Sequence, residues 1–282
     1  MRILKNLTTG IIKLDNKPVK DKIFTADCFS HMSKLKSGSF DHCITDPPYN
    51  ISGYDHKKKI GWLKSNKVWE EEKNFKKIDE DWDNFSDNDY ELFLKKSIQE
   101  ICRLVKPNGN IVIFGSYHNI YQIGYIFKQM DLRIVNSLVW YKRNAFPNVT
   151  QRMFCESTEQ MIWAVNSSVK KAKNWTFNYN ELKTLTENGK QMRNMWDIPM
   201  TPRNEKEFGK HPSQKPIQVM DRLVIGLSNK KDLILDPFCG SGSTAVSSRK
   251  NDRHYYGIDS NAEYTKLARK RILGISKQRS LL

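Results

Sequence analysis

Asp46-Pro47-Pro48-Tyr49 places a carboxylate, two rigid prolines and an aromatic ring directly after an apolar run, Phe40 to Thr45. The Asp46 carboxylate and the Pro47 carbonyl are two acceptors that could each take one hydrogen of an exocyclic amine. Tyr49 could stack on the base that carries it, a contact worth about 1 to 3 kcal/mol. Proline has no N–H to compete, and its fixed φ keeps the carbonyl aimed. Acceptors matter here because the lone pair of an adenine N6 amine is delocalised into the ring. Holding both hydrogens biases the nitrogen toward a tetrahedral geometry and directs its lone pair at an electrophilic methyl group. An amine that points into a duplex must first leave the stack, at a cost of a few kcal/mol. Taken alone, the four residues also describe a strand ending in a stiff turn, with Tyr49 as packing.

A second candidate is the run Asp236-Pro237-Phe238-Cys239-Gly240-Ser241-Gly242-Ser243-Thr244. Leu233 to Leu235 reads as a buried strand, and the two glycines fall where the chain must turn sharply into a helix near Ser243. Glycine permits positive φ and a close approach of backbone to ligand. At the end of the next strand, Tyr255 to Ile258, stands Asp259, where a doubly wound fold places an acceptor for ribose hydroxyls. A dinucleotide site competes, but Ala245 occupies the third glycine position of that fingerprint and no Walker lysine follows. A lone Gly-x-Gly is equally a tight turn.

The chain has 282 residues and a net charge of +16. That length suits one well-filled domain, expected over 1–282. The charge would attract polyanions, nucleic acid first among them; a merely basic surface is the competing account. Five cysteines, Cys28, Cys43, Cys102, Cys155 and Cys239, are widely spaced with no Cys-x-x-Cys pair, which argues against a disulfide framework or zinc finger. There is no His-Glu-x-x-His and no Pro-Cys pair of the kind used in cytosine-C5 methylation, so transfer without metal or covalent intermediate is expected. No apolar run reaches the roughly 20 residues of a membrane span, and the basic N-terminus lacks a signal-peptide core. A reducing cytoplasm is the expected setting.

Apolar or β-branched runs recur at Ile23 to Thr25, His42 to Thr45, Ile111 to Phe114, Ile134 to Trp140, Gln160 to Val165, Leu233 to Leu235 and Tyr255 to Ile258, with helical patterns between them. The alternation predicts an α/β fold with a mostly parallel sheet. A helix is predicted from Tyr90 to Val105, with Leu92, Phe93, Ile98, Ile101, Cys102 and Val105 inward and a stop at Lys106-Pro107-Asn108-Gly109. Another begins with Ser260 as N-cap and Glu263 as its capping-box partner, turning Tyr264, Leu267, Ala268 and Ile272 inward. A third starts at Pro216. Residues 51–89 and 166–210 break the alternation with charges and aromatic rings, and both exceed ordinary loop length.

Asp46 to Tyr49 and the Asp236 to Thr244 loop, together with Lys210-His211-Pro212-Ser213-Gln214-Lys215-Pro216, resemble the S-adenosylmethionine-dependent DNA amino-methyltransferases of the permuted β group, in which the catalytic motif precedes the cofactor loop. Gly115 to Asn119, Trp140 to Asn144 and Glu156 to Glu159 also look like family blocks, so the resemblance spans nearly the whole chain. Within the group it is most similar to small adenine methylases of type II restriction-modification systems. The resemblance implies a Rossmann-like, seven-stranded methyltransferase sheet with circularly permuted motif order, an inserted loop and a small target-recognition region. It implies S-adenosylmethionine as cofactor, with Asp236 to Thr244 around its methionine part, Asp46 beside it, Asp259 at its ribose, Ser260 also binding the cofactor, Asp27 and Cys28 at its adenine, and Lys215 and Pro216 in the block that closes over its methionine end. Asp46, Pro47, Pro48 and Tyr49 would be the catalytic set. Residues 51–89 would form a mobile loop over the flipped base and 166–210 the target-recognition insertion. Double-stranded DNA is the implied substrate; the resemblance allows a homodimer and a cognate restriction endonuclease encoded nearby.

Bland readings stand beside several of these: Asp27 as a helix N-cap, Cys28 as a small buried apolar group, Lys215 as a solvated charge, and the aromatics of 166–210 as a small core. Cytosine-N4 methylation would use the same acceptors, although that group more often carries Ser in place of Asp46. Methylation of RNA needs no flipping from a duplex. A nucleic-acid-binding partner without catalysis is the remaining alternative.

Overall fold

The computed structural model describes residues 17–50, 85–148 and 151–279. Its strands are β1 (Lys22–Thr25), β2 (His42–Thr45), β3 (Asn110–Gly115), β4 (Leu132–Tyr141), β5 (Thr158–Ser168), β6 (Met195–Asp197), β7 (Leu233–Asp236) and β8 (His254–Asp259). The helices are α1 (Cys28–Met32), α2 (Asp87–Leu104), α3 (Ile120–Gln129), α4 (Tyr179–Thr184), α5 (Ile217–Leu227), α6 (Ser243–Lys250) and α7 (Ala262–Arg279).

Unbroken apolar strands demand cover on both faces, and that demand fixes the layering. In β2, Cys43 joins a core cluster with α1, α2 and α3, while the next residue, Ile44, joins the opposite cluster with α5. Ile111 and Ile113 of β3 alternate with Val112 and Phe114 in the same way. A third cluster, around Ile23, Val246 and Ala268, seats α6 and α7 against the β1 edge. Helices thus lie on both sides of one sheet, whose order is β1-β8-β7-β2-β3-β5-β4-β6. Only β5 runs against the rest, antiparallel to both β3 and β4.

Several expectations are corrected. The sheet has eight strands, not seven, because the three residues of β6 pair with β4 through Val139–Met195, Trp140–Trp196 and Tyr141–Asp197; so short a strand has no period to detect. Helix α2 starts at Asp87, where the Ser86 hydroxyl accepts from Asp89 N at 3.2 Å. Its inward face is Tyr90, Leu94, Ile98, Ile101 and Leu104, whereas Leu92 is 64% exposed. The cap of α7 is Asn261 rather than Ser260, its Oδ1 accepting from Glu263 N at 2.9 Å and Tyr264 N at 3.2 Å. Pro216 sits one residue earlier than expected, as the N-cap of α5.

Of the loop expected over 51–89, residues 51–84 lie outside the described residues, and 87–89 open α2. The insertion expected over 166–210 divides. Residues 166–168 finish β5, Trp175 packs on the core, and Asn178 donates to Ile225 O and Ser228 O at the end of α5. After β6 the chain travels to the other end of α5.

Phe127 is fully buried where α3 meets the sheet. Phe127→Ala should lower stability by about 3 to 5 kcal/mol, read as a reduced urea midpoint at unchanged slope; a loss under about 1 kcal/mol would contradict this placement.

Candidate active site

In a parallel sheet, ligands gather at the carboxyl ends of the strands where the winding reverses. Here the chain leaves β7 toward β8 and β1, and leaves β2 toward β3, so the reversal lies between β7 and β2. At those four strand ends stand Asp27 and Cys28, Asp259, Asp236, and Thr45 with Asp46. All of them line one cavity of about 340 Å³.

The 236–244 run makes one wall. Gly240 and Gly242 have φ of +47° and +77°, in the left-handed region. A Cβ on Gly240 would lie 2.9 Å from His211 Nε2, and one on Gly242 would lie 2.7 Å from the Ala268 Cβ, so larger residues are excluded by space as well as by backbone. Gly240 N donates to Asp259 Oδ2 at 2.8 Å, and Asn261 N donates to Oδ1 at 2.9 Å. From behind, the buried Arg271 guanidinium donates to Ser241 O at 2.7 Å and Ser243 Oγ at 3.2 Å, tying the loop to α7. The opposite wall is aromatic: Phe93 sits 5.5 Å from Phe238, 4.9 Å from Phe85 and 5.7 Å from Phe29, ring centre to ring centre.

Burial raises two carboxyls in this cavity. Asp236 accepts from Thr45 Oγ1 at 2.7 Å and from Phe238 N at 3.3 Å, yet burial pushes its pKa up to about 7. Burial likewise raises Asp259, in spite of its two backbone donors. Each would ionise more readily against positive charge.

The acceptor end is an ion cluster. Lys215 Nζ lies 2.6 Å from Asp46 Oδ2 and 3.0 Å from Glu159 Oε2; Lys142 Nζ is 3.5 Å from Glu159 Oε1. Tyr49 donates its hydroxyl to Asp46 Oδ1 at 2.5 Å and lies 3.4 Å from Glu159 Oε2. Burial works against the charge on Glu159, but the two ammonium groups outweigh it and hold the carboxyl below its usual range. Burial disfavours the Lys215 charge too, and the two carboxylates more than offset this, keeping it protonated. On Asp46 burial prevails and raises the carboxyl.

Most residues proposed from sequence meet here. Asp27, Cys28, Asp46, Pro48, Lys215, Asp236, Pro237, Phe238, Cys239, Gly240, Ser241, Ser243, Thr244, Asp259 and Ser260 all line the cavity. Pro47, Tyr49, Pro216 and Gly242 do not: Tyr49 reaches it through Asp46, and Pro216 and Gly242 serve as the N-caps of α5 and α6. Asp27 is a helix cap as well, accepting from Ser30 N at 2.8 Å. Lys215 is no solvated charge; it is 5% exposed and its ammonium is engaged by Asp46 and Glu159. Sequence reasoning missed Glu159, Lys142, Thr45 and Arg271 as members of the site. Glu159 lay within a family block, but only the reversed direction of β5 shows that this strand's start, rather than its end, faces the cavity.

Three comparisons bear on what the site belongs to. The profile of a DNA methylase family covering N6 and N4 methylation matches residues 40–270. Type II methyltransferase M2.DpnII of Streptococcus pneumoniae is 38% identical over 249 residues, covering 88% of this chain and 87% of that one. Type II methyltransferase M2.MboI of Moraxella bovis is 35% identical over 252 residues, covering 88% and 86%. Among solved structures, the M1.HpyAVI-SAM complex superposes with a TM-score of 0.60 at 28% identity, covering 89% of this chain and 98% of the other. The cytosine-N4-specific PvuII DNA methyltransferase has a TM-score of 0.67 at 14% identity, covering 90% and 86%, which shows a shared fold alone.

Asp236 generates a stability test whose sign follows from proton binding. Its pKa is 3.8 ordinarily and about 7 in the fold, so between those values the folded chain binds the extra proton and stability falls as pH rises. The melting-temperature advantage of the unmodified chain over Asp236→Asn should therefore be largest below about pH 4 and decline to a plateau above about pH 7. A difference that stays flat across this window counts against a buried, proton-holding Asp236.

Proposed function

This chain belongs to the DNA methylase family, and from that premise we infer that it is a type II restriction-modification methyltransferase that moves a methyl group from S-adenosylmethionine to the N6 amine of a flipped adenine in double-stranded DNA. The observation that carries the reading is that one cavity joins the Asp46 acceptor to the Asp236, glycine-loop and Asp259 cradle. Asp46, where the cytosine-N4 group more often carries Ser, favours adenine.

The cavity fits the cofactor chemically: Asp259 keeps lone pairs for ribose hydroxyls beyond its two backbone donors, Phe29, Phe85 and Phe93 offer apolar faces to a purine, and Asp236 meets positive charge. When bound, the cofactor supplies an electrophilic methyl on a sulfonium. Asp27, Cys28 and Ser260 hold its nucleoside end; the 236–244 loop holds its methionine end. At the acceptor, Asp46 and the Pro47 carbonyl take the two amine hydrogens while Tyr49 stacks on the base. Pro48 keeps the turn stiff, and its carbonyl is fixed by the Tyr90 hydroxyl at 2.7 Å.

Target reading is assigned to the 166–210 insertion, outside the residues it commits to the sheet and the core. The assignment has a physical ground: Trp175 and Asn178 are committed to the core and to α5. The +16 charge serves phosphate contact. The enzyme works in a prokaryotic cytoplasm, alone or as a homodimer, protecting DNA against an endonuclease encoded nearby; no helix among the described residues is long and apolar enough to cross a membrane.

Nucleoside analysis of duplex DNA methylated by the enzyme should yield N6-methyl-2′-deoxyadenosine, and N4-methyl-2′-deoxycytidine in its place would overturn the adenine reading. Asp46→Ala should cut methyl transfer by about 10² to 10³-fold with cofactor binding still measurable by calorimetry. Near-normal turnover in that variant would remove Asp46 from its role. DNA affinity should fall steeply as salt rises from about 50 to 200 mM, whereas a flat response would mean the basic surface does not meet phosphate.

A further inference from the structure

The acceptor proposed for the amine is already occupied within the protein. Asp46 Oδ2 holds the Lys215 ammonium at 2.6 Å and Oδ1 holds the Tyr49 hydroxyl at 2.5 Å. The second engagement conflicts with the reaction. An N6 amine needs an Asp46 oxygen facing the cavity, and a Tyr49 ring tethered through its hydroxyl to that oxygen is not free to settle on a base. If the amine simply displaced the phenol, a half-buried O–H would keep no partner nearer than 3.4 Å.

The structure holds a second acceptor for that hydroxyl. The Tyr49 hydroxyl already reaches Glu159 Oε2 in a long hydrogen bond of 3.4 Å, so a shift of about half an ångström would bring it to full strength. Glu159 is already fixed for the purpose. Its Oε2 sits 3.0 Å from Lys215 Nζ and its Oε1 3.5 Å from Lys142 Nζ, and both ammonium groups keep it ionised, hence acceptor-only. Lys215 bridges the two carboxylates, so the cluster stays electrically balanced whichever one the phenol engages.

We propose that Glu159 is a positioning residue that takes over the Tyr49 hydroxyl when the target amine displaces it from Asp46. The exchange frees Asp46 Oδ1 for the amine and tilts the Tyr49 ring off its resting contact toward the base, with no buried donor left unmatched. No bond to hydrogen is broken: Tyr49 remains the donor and changes acceptors. The inference rests on the amine-methylation reading above, because without an incoming amine nothing displaces the phenol.

A double-mutant cycle on the full-length enzyme tests it, read as single-turnover methyl transfer to duplex DNA with cofactor affinity measured alongside. Glu159→Met, which keeps the length of the side chain but has no oxygen to accept the phenol, should slow transfer by about ten- to a hundredfold in the otherwise unmodified enzyme with cofactor affinity unchanged. In the Tyr49→Phe background, which has no hydroxyl to hand over, the same substitution should slow it by less than about threefold relative to Tyr49→Phe alone. Glu159→Asp keeps the charge against both lysines but withdraws the carboxylate, and should show the same slowing in the unmodified enzyme and its loss in the Tyr49→Phe background; it decides the matter should the methionine variant fail to fold. Equal slowing in both backgrounds, or no slowing in either, overturns the handover. Failure of the unmodified enzyme to methylate adenine in any duplex would instead sink the reading on which it rests.

Discussion

A single buried ammonium organises the catalytic end of this molecule. Lys215 arrives just before α5, Asp46 just after β2 and Glu159 near the start of β5, so three distant stretches of chain converge on one charge. Taking a lysine and two carboxylates out of water is costly unless each is paired, and removing one partner leaves the others stranded at about 3 to 5 kcal/mol. The segment before α5, the Pro-Pro turn and the reversed strand are therefore held to one another by electrostatic necessity. Lys142 extends the same logic to the end of β4. Two cations face two carboxylates, and the aromatic hydroxyl of Tyr49 is drawn in as the remaining polar partner.

The cofactor half is built on a different principle. There the backbone dominates: two left-handed glycines, the Asp259 carboxylate bridging Gly240 N and Asn261 N, and a guanidinium bracing the loop from behind. Such a cradle is set by steric allowance and short-range hydrogen bonds, so it is rigid before any ligand arrives. Asp236 stands between the halves. It shares a hydrogen bond with Thr45 from β2, and its raised pKa registers the low polarity of the place where the two halves meet.

What was legible in the sequence divides along the same line. Local signals carried the cofactor half: Leu233 to Leu235, the glycines and Asp259 are close in sequence and lie where strand-turn-helix chemistry puts them. Seven strands could be read from apolar runs, but β6 could not, because three residues in a basic, aromatic stretch show no alternation. The face of α2 drifted for a comparable reason. Leu92 and Leu94 are equally apolar, and only the packed sheet decides which turns inward. The ion cluster lay largely beyond reach. Glu159 and Lys142 flank a connection whose register across β4 and β5 is a long-range fact, and nothing local separates a buried lysine at 215 from a solvated one.

The reversal of β5 also bears on where this scaffold can change. Because β4 and β5 are neighbours running in opposite directions, the chain between them returns directly at the catalytic rim without crossing the sheet through a helix. That connection, 142–157, begins beside Lys142, ends two residues short of Glu159, and carries Phe154 at 97% exposure. Phe154 lies beyond the contacts that Arg143 and Asn144 make with Asp197 and Met200, so insertions beside it would reshape the approach to the cluster while leaving the cofactor cradle untouched. One strand laid backwards thus separates the part of the enzyme that must stay constant from a part that is free to diversify.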